Sequence, residues 1–161
     1  MLIDEESANE FLDKYKAVIA FLNDGEYPEC VEDYAYIRSS IYENIESIEE
    51  HMLQSIGESF FQTIKAGNFG DFVYLKRYKQ GHILKHVESG VFYQVLCLTT
   101  PLDEIIPEFT YIKTALLPYK SKIVCDGLIL GSGLLIGKNM AKELRDEYWE
   151  AKRSGALVTC A

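Results

Sequence analysis

Residues 114–139 read TALLPYKSKIVCDGLILGSGLLIGKN, and this stretch decides the fold. It contains apolar, β-branched runs that are interrupted at Pro118 and at a series of glycines beginning with Gly127. Short apolar runs between turn-forming residues are typical of buried strands. We therefore expect this stretch to form two core strands that lead into a helix, with the rest of the chain packed around them.

The two parts of the chain differ in charge. Residues 1–58 contain 15 Asp and Glu against 3 Lys and Arg, whereas residues 59–161 contain 10 against 13. A chain of 161 residues suits one domain that buries about 70% of its unfolded surface. We therefore predict a single domain over 1–161, with an acidic helical hairpin at 1–58 and an antiparallel sheet plus a C-terminal helix at 59–161. The net charge of −9 opposes binding to nucleic acid, because phosphate contacts depend on clustered Lys and Arg.

Helical periodicity covers most of the acidic part. Apolar residues recur at spacings of three and four from Asp4 to Asn23, which predicts a first helix. Ser7 and Glu10 suit a capping box, and Asp4 is an alternative start one turn earlier. A second stripe from Pro28 to Gly57 predicts one long helix antiparallel to the first. Because this stripe is close to a heptad, it either packs on the chain's own sheet or forms a coiled contact in a homodimer.

The second part has the pattern of a sheet. Runs at 71–79, 82–88 and 91–99 are separated by turns that contain Gly, which predicts a three-stranded antiparallel meander. Two more strands are expected at 109–117 and 122–130, before a last helix, Met140 to Ser154, that Asn139 caps. The predicted fold class is α+β: an acidic N-terminal helical hairpin packed on a curved antiparallel sheet, with a C-terminal helix. An SH3-like barrel is one form that this sheet could take.

Asp126 interrupts the apolar run KIVCDGLIL. A carboxylate in a buried strand needs hydrogen-bond partners or a bulge that brings it to solvent, and the neighbouring Gly127 permits a bulge. Asp126 is therefore the first candidate for a functional residue. The alternative is a structural Asp that accepts hydrogen bonds at the end of a strand.

Residues 131–139, GSGLLIGKN, follow a predicted strand and precede a predicted helix, as phosphate-binding loops do. The sequence departs from the motifs of two such loops. Asn139 occupies the position at which a Walker loop has Ser or Thr, and Ile136 occupies the position at which a dinucleotide-binding loop has Gly. We therefore predict a connecting segment and no nucleotide cofactor. Lys138 at the helix N-terminus leaves a weaker anion site open.

His82 and His86 are four residues apart, which in a strand places them about 13 Å from each other. That separation is too large for one metal ion, so we predict half-exposed histidines and no metal site. A small ligand-binding protein or enzyme would instead use Asp126, His82 and Lys138 around a pocket at the mouth of the sheet. That hypothesis requires the three side chains to converge.

Basic and aromatic residues alternate imperfectly along the predicted sheet. Such a composition is found where single-stranded nucleic acid is held through stacking and phosphate contacts. The alternative is an outer sheet face that faces solvent or the acidic helices. The residues concerned are Tyr74, Lys76, Arg77, Tyr78, Lys79, Lys85, Phe92, Tyr93, Tyr119, Lys120 and Lys122.

The cysteines and the N-terminus bear on the compartment. Cys30, Cys97, Cys125 and Cys160 form no Cys-x-x-Cys pair, which favours free thiols in a reducing environment. The N-terminal MLIDEESANEF lacks the basic and apolar regions of a signal peptide, and no apolar run reaches the roughly 18 residues of a membrane helix. We therefore expect a cytoplasmic protein without a membrane partner.

The C-terminal part resembles an uncharacterised bacterial protein family of unknown function. The segments that carry the resemblance are LLPYKSKIVCDGL at 116–128 and DEYWEAKRSGALVT at 146–159, together with VLCLTTPLDEI before them. The resemblance covers the chain from about Val91 to its end. It implies a shared structural turn and no transferable activity; the residues of that turn are Pro118, Tyr119, Asp126 and Gly127.

The sequence contains no convincing catalytic constellation, which leaves open whether the protein is an enzyme. The leading hypothesis is a non-enzymatic protein-binding module that uses an acidic helical face to attract a basic partner. The small-ligand and single-stranded nucleic-acid hypotheses are the alternatives. The glutamates that we expect to form the acidic face are Glu43, Glu46, Glu49 and Glu50.

Overall fold

A computed structural model describes residues 1–161, with every side chain except that of Ser132. The chain has an α+β fold in which helices precede and follow one sheet, with two short 3₁₀ helices at Ile41–Glu43 and Leu102–Glu104. The helices are α1 (Glu5–Leu22), α2 (Val31–Arg38), α3 (Ile45–Ile56), α4 (Glu58–Lys65) and α5 (Lys138–Ser154). The strands are β1 (Asn68–Tyr78), β2 (Gly81–His86), β3 (Phe92–Cys97), β4 (Thr110–Tyr119), β5 (Lys122–Cys125) and β6 (Leu130–Leu135).

The first helix is capped by Asp4. Its carboxylate accepts a hydrogen bond from the backbone N–H of Ser7 at 2.8 Å, which satisfies a donor that the helix leaves free. Asp4 thus starts the helix one turn before the predicted Ser7 and Glu10 capping box. The buried stripe of α1, including Phe11 and Tyr15, confirms the predicted amphipathic helix.

The predicted long second helix is wrong. The chain forms α2 and α3 as separate helices with a 3₁₀ turn between them. At the break, the Asn44 amide donates to the Ser40 carbonyl at 2.7 Å, and the Ser39 hydroxyl donates to the Ala35 carbonyl at 3.4 Å. Short polar side chains that bond to nearby backbone compete with helical hydrogen bonds, which explains the interruption. Ile41 and Ile48 are buried in the chain's own core. These positions of the apolar stripe are therefore not available for a coiled-coil contact with a second copy of the chain.

The six strands form one sheet in the order β1-β2-β3-β5-β4-β6. The long strand β1 pairs antiparallel with β2 along its second half and with β4 along its first half. Since β3 also pairs with β5 in parallel, and β5 with β4, five strands form a closed ring of pairings with β6 beside it. The predicted meander and the curvature are confirmed, and the SH3-like barrel stays a prediction.

The strands β4 and β5 are buried on both faces. Leu116, Ile123 and Cys125 point into the ring, whereas Leu117 and Val124 pack against the helices. Continuous apolar runs are expected of strands that are covered on both sides. This arrangement confirms the predicted core strands for the apolar residues of β4 and β5. The turn at 120–122 is exposed, however, and so are Leu134 and Leu135 later in the stretch 114–139, where the predicted burial is wrong.

A third apolar layer lies under α5, which packs on the outer face of β1, β2 and β3. Leu144 and Tyr148 of α5 contact Val73, Ile83 and Phe92 there. The helix begins at Lys138 without a side-chain cap, so the predicted cap at Asn139 is wrong. Residues 131–135 of the predicted connecting segment belong to the strand β6 on β4, so that prediction is wrong for them.

The four cysteines are free and occupy two environments. Cys97 and Cys125 are buried, whereas Cys30 and Cys160 are exposed. Burial raises the pKa of Cys97 to about 11 and that of Cys125 to about 12, which keeps both thiols protonated near neutral pH. Among the residues that the structure describes, no helix combines the length and apolar character that a membrane crossing requires.

Candidate functional site: a buried carboxylate beneath the helices

A bulge between β5 and β6 places Asp126. Both strands pair with β4, but four residues lie between Cys125 and Leu130 while only two lie between their partners Leu116 and Lys113. Two extra residues therefore leave the ladder here, and Gly127 adopts the left-handed φ of 77° that the turn requires. The bulge directs the Asp126 side chain towards the N-terminal helices, where it is 4% exposed.

Both oxygens of the Asp126 carboxylate have partners. Oδ2 accepts hydrogen bonds from the Tyr15 hydroxyl at 2.7 Å and from Nη1 of Arg38. Oδ1 accepts from the backbone N–H of Leu128 at 2.9 Å, and the Thr114 hydroxyl lies 3.2 Å from it. The site thus joins α1, α2, β4 and the bulge through one charged group.

Arg38 is the counter-charge of Asp126. The residue is fully buried at the end of α2, and its guanidinium lies 4.8 Å from the centre of the Phe69 ring. Burial alone would lower the pKa of Arg38, but the Asp126 carboxylate outweighs that effect and raises it. Nε and Nη2 of Arg38 have no hydrogen-bond partner among the described atoms.

Two tyrosines surround this ion pair. Burial, with the nearby Asp126 charge, raises the pKa of Tyr15 well above its ordinary value and also raises that of Tyr42. Neither phenol therefore ionises near neutral pH. The Tyr42 hydroxyl packs so closely on Gly67 that a Cβ built there would lie 2.6 Å from it, so a larger residue at this position would displace the Tyr42 ring.

The arrangement stabilises the fold more directly than it supports chemistry. A general base or nucleophile needs a lone pair that can reach substrate, whereas the Asp126 carboxylate is bonded to four groups and opposed by Arg38. Asp126 therefore has the geometry of the structural alternative, a carboxylate that accepts hydrogen bonds at a strand end. Because its partners come from both helices and sheet, it holds the two layers together.

His82 lies in a different part of the molecule. The side chain is fully buried inside the ring of strands, so the predicted half-exposed position is wrong for His82; His86, in contrast, is half-buried. The sequence pattern did not reveal that β2 is covered on both faces, with Ile83 under α5 and His82 inside. Nδ1 lies 3.2 Å from the Tyr74 hydroxyl, and Nε2 has no partner among the described atoms.

The three predicted ligand-binding residues do not form one site. Asp126 lies on the helix side of the sheet and His82 inside the ring, whereas Lys138 is exposed at the start of α5. Among the described side chains, the hydrogen-bond partners of Asp126 and His82 have no residue in common. The structure therefore gives no support to the hypothesis of a shared pocket.

The basic sheet face offers little for stacking bases. Tyr74, Phe92 and Tyr119 are buried in the core and so cannot present a ring to a nucleobase. Several of the cations have carboxylate partners within the chain, among them Lys85 with Glu147 at 2.6 Å and Lys120 with Glu10 at 3.0 Å. The single-stranded nucleic-acid alternative thus loses much of its predicted surface.

The predicted acidic face is a surface feature. Glu43 lies in the 3₁₀ turn, while Glu46, Glu49 and Glu50 lie on α3, and all four side chains are exposed. Positions separated by three or four residues are neighbours on a helix, so the three glutamates of α3 form one patch. Ile48 of the same helix is fully buried, which fixes the patch towards solvent.

Sequence reasoning selected Asp126 but missed Tyr15 and Arg38. A signal for Arg38 was present, because it stands three residues after Ala35 and three before Ile41, both of which belong to the buried helical stripe. A lone charge on an apolar stripe needs a buried counter-charge just as a carboxylate in an apolar strand does. Matching these two anomalies would have paired Arg38 with Asp126.

Within the described residues, no group of three His, Cys, Asp or Glu side chains is arranged to hold a metal ion. Comparisons with protein-family models, with curated proteins and with solved structures find no match to this chain. The resemblance to an uncharacterised bacterial family therefore stays a prediction.

Proposed function

We propose that this chain is a cytoplasmic, non-enzymatic protein-binding module whose acidic face binds a basic segment of a partner protein. The acidic face consists of Glu43, Glu46, Glu49 and Glu50. The observation that carries the proposal is that none of these exposed carboxylates takes part in an ion pair among the described residues.

Only some of the other exposed acids lie within ion-pair distance of a cation of the same chain, including Glu10 beside Lys14 and Asp71 beside Lys113. Glu88 and Glu108 also have no ion pair among the described residues, but the four carboxylates of the acidic face lie close together in the chain. Residues 1–58 hold only 3 Lys and Arg, and one of them, Arg38, is buried against Asp126. The acidic face thus has little local counter-charge, and a cationic partner would supply it.

Unpaired charges of one sign on a surface attract an oppositely charged partner before the two proteins touch. A patch of one sign accelerates the encounter with an oppositely charged partner, and added salt weakens this effect because it screens exposed charges. The face is also preformed, since buried side chains of α3 and the 3₁₀ turn, including Ile41 and Ile48, attach it to the core. A partner could therefore dock without reordering the helix.

The proposal is tested with a short Lys- and Arg-rich peptide and a variant that carries Glu46→Lys, Glu49→Lys and Glu50→Lys. We expect the variant to bind the peptide at least about tenfold more weakly, which corresponds to about 1.4 kcal/mol. We also expect the affinity of the unmodified protein to fall as salt is added. Fluorescence anisotropy with a labelled peptide measures both effects.

A matched control variant distinguishes the effect of the acidic face from the effect of a changed net charge. Glu88, Glu108 and Glu143 are exposed acids outside the acidic face, and their reversal to Lys changes the net charge by the same amount. We expect this control to retain most of the affinity. Equal losses in the two variants, or no binding by the unmodified protein at low salt, would contradict the proposal.

A further inference from the structure

A cavity of about 250 Å³ lies between α1 and the segment that leads into α2, next to the bulge at Asp126. Its volume lies just below the usual range for ligand pockets, about 300 to 1,000 Å³, so it suits a molecule smaller than a typical drug. The cavity is separate from the acidic face, because none of the four glutamates lines it. Nothing in the proposed function depends on it.

The walls of the cavity are mainly apolar. Leu12 and Ile19 come from α1, Val31 from the start of α2 and Leu128 from the bulge. Val31 is 63% exposed, so a β-branched side chain is left facing the opening. An apolar group that entered the cavity would cover part of this surface and gain about 25 cal/mol for each Å² removed from water.

Two opposite charges line the same cavity. Lys16 is on α1 and Glu29 is just before α2, and both side chains are exposed. Neither belongs to an ion pair of the described residues, so the Lys16 ammonium and the Glu29 carboxylate are more than 4.0 Å apart. Because both side chains line the same cavity, a ligand inside it that carries both charges could contact both of them.

The floor of the cavity is polar but offers no net charge. Tyr15 and Asp126 line it, and the charge of Asp126 is balanced by Arg38. Because the Asp126 oxygens already accept hydrogen bonds from the protein, a ligand gains little by approaching them. Charge recognition in this cavity is thus left to Lys16 and Glu29.

We propose that this cavity binds a small zwitterion with an apolar body, the chemistry of a hydrophobic α-amino acid. The ligand carboxylate would lie towards Lys16 and its ammonium towards Glu29, with the apolar side chain between Leu12, Ile19 and Leu128. Exposed ion pairs are weak, because water and salt screen both charges. We therefore expect a modest affinity, with a Kd between about 0.1 and 10 mM.

The first test is an NMR titration of the full chain with L-leucine, N-acetyl-leucine and leucine methyl ester. The acetylated compound lacks the ammonium and the ester lacks the carboxylate, so each should bind several-fold more weakly than leucine. We expect saturable shifts of backbone amides around Leu12, Lys16, Val31 and Leu128. The absence of shifts at these positions up to tens of millimolar leucine, or equal affinity for all three compounds, overturns the proposal.

Charge-neutral variants assign each charge to one residue. Lys16→Gln should weaken binding of leucine and N-acetyl-leucine but leave the ester unchanged, whereas Glu29→Gln should weaken leucine and the ester but leave N-acetyl-leucine unchanged. Lys65→Gln and Glu58→Gln on α4 are matched controls, because these exposed residues do not line the cavity. Uniform losses in all four variants would contradict the assignment, since they would reflect overall charge.

The two exposed cysteines allow a second test, in which one thiol reports on the cavity and the other serves as a reference. Cys30 lines the cavity, and Cys160 is the other exposed cysteine and does not. Bound leucine should slow the alkylation of Cys30 by iodoacetamide and leave the rate at Cys160 unchanged. Equal rates at Cys30 with and without leucine, at a concentration that saturates the NMR shifts, would place the ligand elsewhere and overturn the proposal.

Discussion

Asp126 and His82 are both buried ionisable side chains, but they lie in opposite surroundings. Asp126 has four hydrogen-bonding groups around its carboxylate and a guanidinium opposite it. His82 has one hydrogen-bond partner, the Tyr74 hydroxyl, and the exposed Asp103 carboxylate lies 4.0 Å from the same ring nitrogen. The second ring nitrogen has no partner among the described atoms. The first group lies between the helices and the sheet, and the second lies inside the ring of strands.

The difference shows what a buried group needs in order to keep a charge. Taking a charge out of water costs several kcal/mol, which only close partners offset. Asp126 has such partners. His82 does not, and burial lowers its pKa to about 4, although Asp103 opposes that shift. The fold therefore holds one buried ion pair and one buried neutral imidazole.

The largest expected effect follows from removing one member of the ion pair. Asp126→Ala leaves the Arg38 guanidinium buried without a counter-charge, so the free energy of unfolding should fall by about 3 to 5 kcal/mol. Urea denaturation measures this change. Asp71→Ala, which removes an exposed carboxylate beside Lys113, is the control and should cost less than about 1 kcal/mol. A similar small loss for both variants would show that the buried pair contributes no more than a surface pair.

The second prediction concerns acid stability. In the unfolded chain His82 titrates near its ordinary pKa of 6.5, whereas in the folded chain its pKa is about 4. Between these values the unfolded chain binds a proton that the folded chain does not, so the free energy of unfolding falls as the pH falls from 6.5 to 4. The loss approaches about 3 kcal/mol and levels off at lower pH.

A histidine variant isolates this effect from other titrations. His82→Gln cannot take up the proton, so its stability should change less than that of the unmodified protein between pH 6.5 and 4. His86→Gln is the control, because His86 is only half-buried. If the three proteins show the same pH dependence in urea denaturation, His82 is not the group that binds the extra proton on unfolding.

The smallest expected effects come from the two tyrosine hydroxyls. Tyr15→Phe removes a hydrogen bond to a carboxylate and should cost about 1.5 to 3 kcal/mol. Tyr74→Phe removes a hydrogen bond to a neutral imidazole and should cost about 0.5 to 1.5 kcal/mol. Thermal or urea denaturation compares the two variants. The reverse order of stability would mean that partners matter less at Asp126 than at His82.

Much of the fold could be predicted because local pattern and burial agree. The apolar residues of β4 and β5 are buried on both faces of the sheet, and Gly127 allows the expected bulge. The break in the predicted long second helix could not be seen in the apolar stripe. Periodicity reflects the apolar residues, whereas the break involves hydrogen bonds from the side chains of Ser39 and Asn44 to nearby backbone carbonyls. Strand β6 was missed because Gly131 and Gly133 are more typical of loops.

The candidate site was predicted only in part. Asp126 stood out because its chemistry conflicts with its apolar neighbours, which is a local signal. Its partners Tyr15 and Arg38 are 111 and 88 residues away in sequence, so no spacing rule connects them. Burial of His82 was equally hidden, since it depends on whether the ring of strands closes.

A double-mutant cycle between Arg38 and Asp126 tests most directly whether the buried pair joins the helices to the sheet. The single variants Arg38→Met and Asp126→Leu and the double variant are compared by urea denaturation. We expect the double variant to be more stable than the sum of the single losses implies, with a coupling energy of about 2 kcal/mol or more. Losses that add within about 0.5 kcal/mol would contradict it, because the two side chains would then act independently.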